Sequence, residues 1–298
     1  MKIAVLYTCF NRKQKTLSSL EGLFTALKIY NQYANDKVVV TIYLTDDGCT
    51  DGTSKAILDT YPDADINILN GNGDLFWAGG MRLAWKAALR NIDEFDFYLL
   101  LNDDTDIFGY CIKELIDTHE YCLTKYGKDG IYSGITCDKE DMNQTTYGGR
   151  IITNSFLGSA YKVSASGIPQ LVHQTNANIL LVPKSVVDKI GIFYEGFRHG
   201  NADYDYSMHA RRKGIPVLVT AHYCGACNFD HPSGTELKNK ILSMSKAERT
   251  SYFSNPLHSS KDYLIFIRRN IPLKYPITWI FRMLQEKFPK VYYFINRR

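Results

Sequence analysis

YLLLNDDTDI, Tyr98 to Ile107, is the stretch on which the reading of this chain turns. Three leucines in a row have the character of a strand buried on both faces. Asn102, Asp103, Asp104 and, after Thr105, Asp106 follow at once. An apolar core does not accept such residues unpaired. A buried strand therefore reaches the surface here and delivers concentrated negative charge at its end.

Upstream, the same alternation repeats. KIAVLYTCF is an aliphatic run ending near Asn11. The next segment carries Leu17, Leu20, Leu23, Phe24, Leu27 and Tyr30 at helical spacing. KVVVTIYLTDDG reads as a second strand, GTSKAILDTY as a short helix and INILN as a third strand. GGMRLAWKAALRNI is a helix with Leu83, Ala87 and Leu89 among its inward candidates. Strands alternating with helices imply βαβ units and a mostly parallel sheet covered on both faces. Four strand ends carry the polar clusters TCFNR, TDDGCTDGT, NGNGDLFWAGG and NDDTD. In such sheets ligands sit at that rim.

The later part is less regular. TTYGGRII, SAYKVSA, PQLVHQT and ANILLVP suggest a mixed or antiparallel region. KSVVDKIG is a short helix, YSMHARRKG a helix with Asp203 near its start, and IPVLVTAHYCG a strand. The end of the chain reads as helical segments broken by Pro272, Pro276 and Pro289.

The 298 residues suffice for one large domain or two modest ones. Hydrophobic residues at 45% and charged residues at 22% place the chain among ordinary globular proteins. The 21 tyrosines and 15 phenylalanines are a surplus of the kind used in carbohydrate, nucleotide or membrane-surface contacts. The opening apolar run, Ile3 to Tyr7, is too short for a secretory signal and lacks a small-residue cleavage site. No stretch reaches the ~18 apolar residues of a spanning helix. Seven cysteines fit neither a zinc site nor a disulfide framework, and Cys224 and Cys227 form a lone CxxC. Free thiols in a reducing cytoplasm are expected.

Charge is unevenly spread. Residues 261–298 hold nine Lys/Arg and two Asp/Glu, a net of +7, against +4 for the whole chain. The remainder is thus about −3, which makes nucleic acid a poor partner for the body.

TCFNR, TDDGCTDGT, LLLNDD and, about a hundred residues later, ADYDYSMHARRKG stand in an order and spacing that resemble family 2 glycosyltransferases. GDLFWAGGMRLAW resembles the Gly-Gly segment of bacterial, rhamnosyltransferase-like members. The resemblance covers roughly residues 1–235. It implies an α/β fold of the GT-A type: a Rossmann-like, mixed, mostly parallel sheet flanked by helices. Within it, 1–108 would be the nucleotide-sugar half and 109–235 the acceptor half. Residues 236–298 would add a basic, aromatic helical extension.

The resemblance also assigns roles. A departing diphosphate gains negative charge, which a hard divalent cation, Mn²⁺ or Mg²⁺, offsets through oxygen ligands. Asp104 is the expected metal ligand, with Asp106 in an alternative register, His231 as a further ligand and His222 as its substitute. Asp46 would accept a hydrogen bond from a pyrimidine imide. Asp47, Asp103, Thr8, Phe10 and Arg12 would join the nucleotide-sugar site. Gly79 and Gly80 would let backbone approach the ligand, near a helix N-terminus that favours phosphate. Arg82 would add a cation and Trp77 a flat surface for a sugar ring. Asp203, with Asp205 in reserve, would be the base that deprotonates the acceptor hydroxyl, although Ala202 stands where Glu is frequent.

The expected activity is inverting, metal-dependent transfer of a hexosyl or deoxyhexosyl unit from a UDP- or dTDP-sugar. The acceptor would be a saccharide on a lipid carrier, in surface polysaccharide assembly. The chain would be cytoplasmic and peripheral at the inner face of the membrane, with 261–298 on the bilayer, unless that tail packs on its own domain or on a second copy. Two other readings compete: a sugar-nucleotide nucleotidyltransferase and a non-catalytic sugar-nucleotide or glycan-binding module. TCFNRKQKT lacks the glycines of the first, and the retained aspartates argue against the second.

Overall fold

The computed structural model describes residues 1–91, 94–154, 158–229 and 232–296. The first part is β1 (Lys2–Cys9), α1 (Lys13–Tyr33), β2 (Val39–Asp46), α2 (Thr53–Thr60), β3 (Ile66–Asn70), α3 (Phe76–Ala88) and β4 (Phe97–Leu101). Then come β5 (Asp106–Ile107), α4 (Cys111–Tyr126), β6 (Ile131–Cys137), β7 (Thr145–Tyr147), β8 (Gly149–Asn154), β9 (Ser159–Lys162), β10 (Gln170–Leu171), β11 (Gln174–Thr175) and β12 (Ile179–Pro183). After α5 (Lys184–Ile190), α6 (Ala202–Arg212) and β13 (Val217–Ala226), the chain ends in α7 (Gly234–Ser243), α8 (Lys246–Ser254), α9 (Ser260–Asn270), α10 (Tyr275–Lys287) and α11 (Pro289–Ile295).

The central sheet runs β10-β13-β6-β12-β4-β1-β2-β3, with β5 on β13 and β7 on β6. β3, β2, β1 and β4 are mutually parallel, and β13 is parallel to β6. β12 is antiparallel to both β4 and β6, so it runs backwards between two parallel blocks. β11, β8 and β9 form a separate antiparallel sheet.

Both faces of the sheet are covered. In β1, Ile3, Val5 and Tyr7 pack with α1 and α4, while Ala4 and Leu6 pack with α3 and α6. This double burial is why the strands read as continuous apolar runs. α1 turns Leu20, Leu23, Ala26 and Leu27 inward, as its spacing predicts. α3 differs from expectation. Its buried stripe is Ala78, Met81, Ala84, Trp85 and Ala88, while Leu83 and Ala87 are half-buried and Leu89 is exposed. The phase is set by Gly80, where an added Cβ would lie 2.1 Å from Thr8 Oγ1 on β1. Only glycine allows that helix-to-strand approach.

The core does not stop at residue 235. Phe266 and Ile267 of α9 are buried in the cluster that contains Trp85 and Tyr206. The prolines of the extension open elements more than they break them. Pro272 begins a single 3-10 turn, Pro276 lies in the first turn of α10, and Pro289 starts α11.

Candidate active site

The carboxyl ends of β1, β2, β3 and β4 form one rim, and the polar clusters of the sequence stand along it. Among the described residues, the non-glycine residues in left-handed conformation are Asn11 (φ 50°), Phe76 (φ 55°) and Asn201 (φ 64°). They sit just past β1 and at the starts of α3 and α6, so the strained backbone gathers around this rim.

Asp46 and Asp47 end β2 with different tasks. Asp46 accepts from the amides of Cys49 (2.7 Å) and Gly48 (3.1 Å) and from the Ser54 hydroxyl. Burial works to raise its carboxyl, but the bonds from Ser54 and Cys49 outweigh burial and hold it below its ordinary value. Asp47 is buried and accepts from the amides of Gly73 (2.9 Å), Leu75 (3.0 Å) and Phe76 (3.0 Å). Its carboxylate anchors the loop that enters α3.

The acidic stretch after β4 splits three ways. Asn102 Oδ1 accepts from the indole N–H of Trp77 at 2.7 Å, which fixes the ring, and Trp77 also packs 5.5 Å from Phe193. Asp103 is 6% exposed, and Asp104 lies beside it. The Arg12 guanidinium bridges both, 3.2 Å from Asp103 and 2.7 Å from Asp104. Burial pushes the Asp103 carboxyl up to about 7, with Arg12 opposing and Asp104 adding to the rise. Asp106 instead pairs with Lys139 at 2.6 Å and accepts from Ser18.

Asp203 opens α6. It accepts from the amides of Tyr204 (2.8 Å) and Ala177 (3.3 Å) and from the Asn176 side chain (3.5 Å). Part of it reaches solvent, yet the groups around it enclose the carboxylate. Burial raises it to about 6 against those hydrogen bonds. The segment 176–178 also touches the acidic stretch, because Asn102 N donates to Asn178 O at 3.0 Å. Asp203 and the end of β4 thus flank the same three residues.

Asp205 lies two residues further along α6 and is 2% exposed. Its carboxylate accepts from Arg269 Nε (2.9 Å) and Asn270 Nδ2 (2.7 Å) of α9. It ties α6 to the C-terminal extension.

Gly79 and Gly80 are buried inside the first turns of α3, not at an open loop. The amides of Ala78 and Gly79 face the carbonyl of Arg198 at 3.2 and 3.4 Å, and those of Leu75 and Phe76 face Asp47. The start of α3 is therefore already served by chain groups. Arg82 donates to the carbonyl of Tyr194 at 3.1 Å, and burial depresses its pKa. Thr8 packs under Gly80, while Phe10 is 54% exposed at the rim.

The histidines divide. His222 pairs with Glu114 at 2.8 Å on the α4 side of β13. His199 donates its amide to Asp262 at 2.7 Å. His231 lies outside the described residues. Among the described residues no cluster of three or more His, Cys, Asp or Glu is arranged to hold a metal. The donor set still fits a hard divalent cation, which uses one or two carboxylates and completes its shell with substrate phosphates and water. Asp103 and Asp104 would supply the carboxylates, and a cation, Arg12, already rests against both.

Sequence reasoning missed Asp262. This carboxylate of α9 is 6% exposed and accepts from the amides of Arg198 (3.2 Å), His199 (2.7 Å) and Gly200 (2.9 Å). It holds the loop leading into α6. Arg198 from that loop pairs with Asp74 at 2.5 Å and lies 5.0 Å over the Phe76 ring. The seven cysteines are free, as expected, with Cys9 and Cys49 3.8 Å apart between their sulfurs.

No family model matches the sequence, and no curated protein does. Among solved structures, S. aureus TarS 1-349 matches with a TM-score of 0.52 at 13% identity, over 98% of this chain and 82% of that one. Its complex with UDP-GlcNAc matches at 0.51 and 12%, over 90% and 71%. A mannosyltransferase from Pyrobaculum calidifontis in complex with GDP-Man and Mn²⁺ matches at 0.48 and 15%, over 95% and 69%, a likeness too loose to argue from. The TarS matches bear out the expected fold, a mixed α/β architecture with a mostly parallel central sheet flanked by helices.

Proposed function

We propose that this chain is an inverting glycosyltransferase. It moves a hexosyl or deoxyhexosyl unit from a UDP- or dTDP-sugar to a saccharide hydroxyl, lipid-linked in the reading that the sequence favours. The observation that carries this reading is the pairing of two acidic sites across residues 176–178. On one side Asp103 and Asp104 end a parallel strand with a cation against them, and on the other Asp203 is enclosed and raised to about 6. One site suits a leaving diphosphate and the other an attacking hydroxyl. The likeness to TarS, whose structure holds UDP-GlcNAc, supports the donor class.

Asp203 takes the proton of the acceptor hydroxyl as its oxygen bonds to the anomeric carbon. The bond from that carbon to the diphosphate breaks, and the electron pair leaves with the phosphate oxygen. A divalent cation held by Asp104 and Asp103 would stabilise the charge on that diphosphate. Asp46, fixed by Ser54 and the Gly48 and Cys49 amides, offers an ionised acceptor to the base. Phe10 offers an exposed ring beside it. Trp77, oriented by Asn102, offers an indole face to the sugar.

The test is release of free nucleoside diphosphate from a panel of UDP- and dTDP-sugars with Mn²⁺. Slow donor hydrolysis that Asp203→Asn and Asp104→Ala both suppress supports the reading. Binding without turnover in the presence of saccharide acceptors overturns it in favour of a binding module. Pyrophosphate release from a sugar phosphate and a nucleoside triphosphate overturns it in favour of nucleotidyl transfer.

A further inference from the structure

α10 half-buries Tyr275, Phe281, Met283 and Leu284 but leaves a second apolar face in solvent. Its buried side chains are Thr278 and Gln285. Leu273, just before it, is 79% exposed, and Ile277, Trp279 and Ile280 within it are about half exposed, at 53%, 49% and 46%. Leu273, Ile277 and Ile280 recur at steps of four and three, so one continuous helical face is apolar and meets solvent. Lys287 follows seven residues after Ile280 on that face. Phe288, Val291, Phe294 and Ile295 continue the exposed apolar surface through α11.

The inward polar groups are satisfied. Thr278 donates to the Lys274 carbonyl at 2.9 Å, and Gln285 is bonded to Arg282 at 3.0 Å and to Tyr293 at 3.3 Å. Gln285 thereby ties the inner side of α10 to α11. A helix that only covers a globular core keeps its outer face polar, and α10 does not.

Charge chooses the occupant. Residues 261–298 hold nine Lys/Arg against two Asp/Glu. Lys261, Arg268, Lys287 and Lys290 are exposed. A second copy of the chain seated by two-fold symmetry would set this cationic surface against itself. A partner with an anionic surface and an apolar interior matches both properties, and a bilayer with anionic headgroups is such a partner. No helix among the described residues is long and apolar enough to cross a membrane, so the contact lies in the plane of the interface.

We propose that α10 and α11 dock on an anionic phospholipid surface, with Ile277, Trp279, Ile280 and Phe288 entering the headgroup boundary and Lys287 and Lys290 meeting the phosphates. Insertion to about 5–10 Å is the depth such helices reach. The proposal does not depend on the transfer reaction. It does set the rim in relation to the membrane, because α9 of the same extension holds the loop before α6 through Asp262 and holds Asp205 through Arg269.

The test floats the full chain on vesicles of phosphatidylcholine with phosphatidylglycerol, and on vesicles of phosphatidylcholine alone. Binding is expected to the first and to weaken by about tenfold or more when salt is raised or when Lys287→Glu and Lys290→Glu are combined. Ile277→Ser combined with Ile280→Ser should abolish it. These side chains are exposed, so circular dichroism and the urea midpoint should stay unchanged. Trp279 emission should move to the blue on binding and be quenched by brominated acyl chains, a signal that Trp279→Phe removes without loss of binding. No binding to the anionic vesicles, equal binding to neutral ones, or a concentration-dependent dimer that the serine variant dissolves would each overturn the proposal.

Discussion

Arg12 Nη1 lies 2.7 Å from a carboxylate oxygen of Asp104, so the acidic rim carries its own counter-ion. Arg12 follows β1 and Asp104 follows β4, adjacent strands whose ends the sheet aligns. A metal bound there would compete with this guanidinium for one carboxylate pair. Arg12→Gln should therefore raise Mn²⁺ affinity in the absence of nucleotide by about tenfold, the scale of one nearby charge at intermediate dielectric. Asp104→Ala should remove it. Manganese titration by electron paramagnetic resonance reads both, and unchanged affinity in both variants would place the metal elsewhere.

Asp203 predicts an acidic limb in the pH profile. A base must be ionised, and burial keeps this carboxyl protonated up to about 6. kcat/KM should rise tenfold per pH unit below that value and level off above it. The stability sign follows from the same shift. The folded state binds this proton more tightly than the unfolded chain does, so Asp203 lowers stability as pH climbs from 3.8 through about 6. Asp203→Asn should remove that decline and cut turnover by roughly 10²–10⁴. A limb near 4 in the wild type would assign the base to another group.

Asp205 predicts a stability effect. Removing it leaves Arg269 beside a buried helix without its carboxylate. Asp205→Ala should cost roughly 2–4 kcal/mol, somewhat below a fully buried pair because Arg269 keeps part of its surface in water. Replacing both by apolar residues of similar volume should recover most of the loss. Urea unfolding of the single and double variants measures this, and a single variant within about 0.5 kcal/mol of wild type would dismiss the tether.

Asp262 predicts an effect on rate through position. Its carboxylate holds three successive amides of the loop that enters α6. Asp262→Asn weakens charged hydrogen bonds and should cost about 1–3 kcal/mol. Turnover should fall by more than donor affinity, because the loop runs on into Asp203 while its contacts with α3 and Asp74 come from Arg198. A parallel loss in both, tracking the unfolded fraction, would reduce Asp262 to general stability.

Much of this was legible and some was not, for physical reasons. β1 to β4 show as apolar runs ending in polar clusters because burial on two faces and exposure at one rim are local properties. The stretch 109–144 carries no such signal. β6 is buried throughout yet contains Ser133, satisfied by Asn176 O 43 residues later, and Thr136, satisfied by Thr146 across the turn into β7. The tasks of the carboxylates are equally hidden. Asp47 serves amides 26 to 29 residues later, and Asp205 serves α9 about 64 residues later. In sequence, an aspartate that binds backbone looks the same as one that awaits a ligand. The glycine pair was legible as close approach, but the surface that Gly80 approaches is Thr8.

β12 runs against its neighbours, and this reversal governs how the protein can diversify. Strands that point one way send only their exits to the rim. A reversed strand sends its entrance there, so residues 176–178 arrive from the separate small sheet and not from β1 to β4. The two halves of the rim thereby belong to different stretches of chain. The small sheet of β8, β9 and β11 can change in length or composition without shifting β1 to β4, so the two sides of the rim can vary independently.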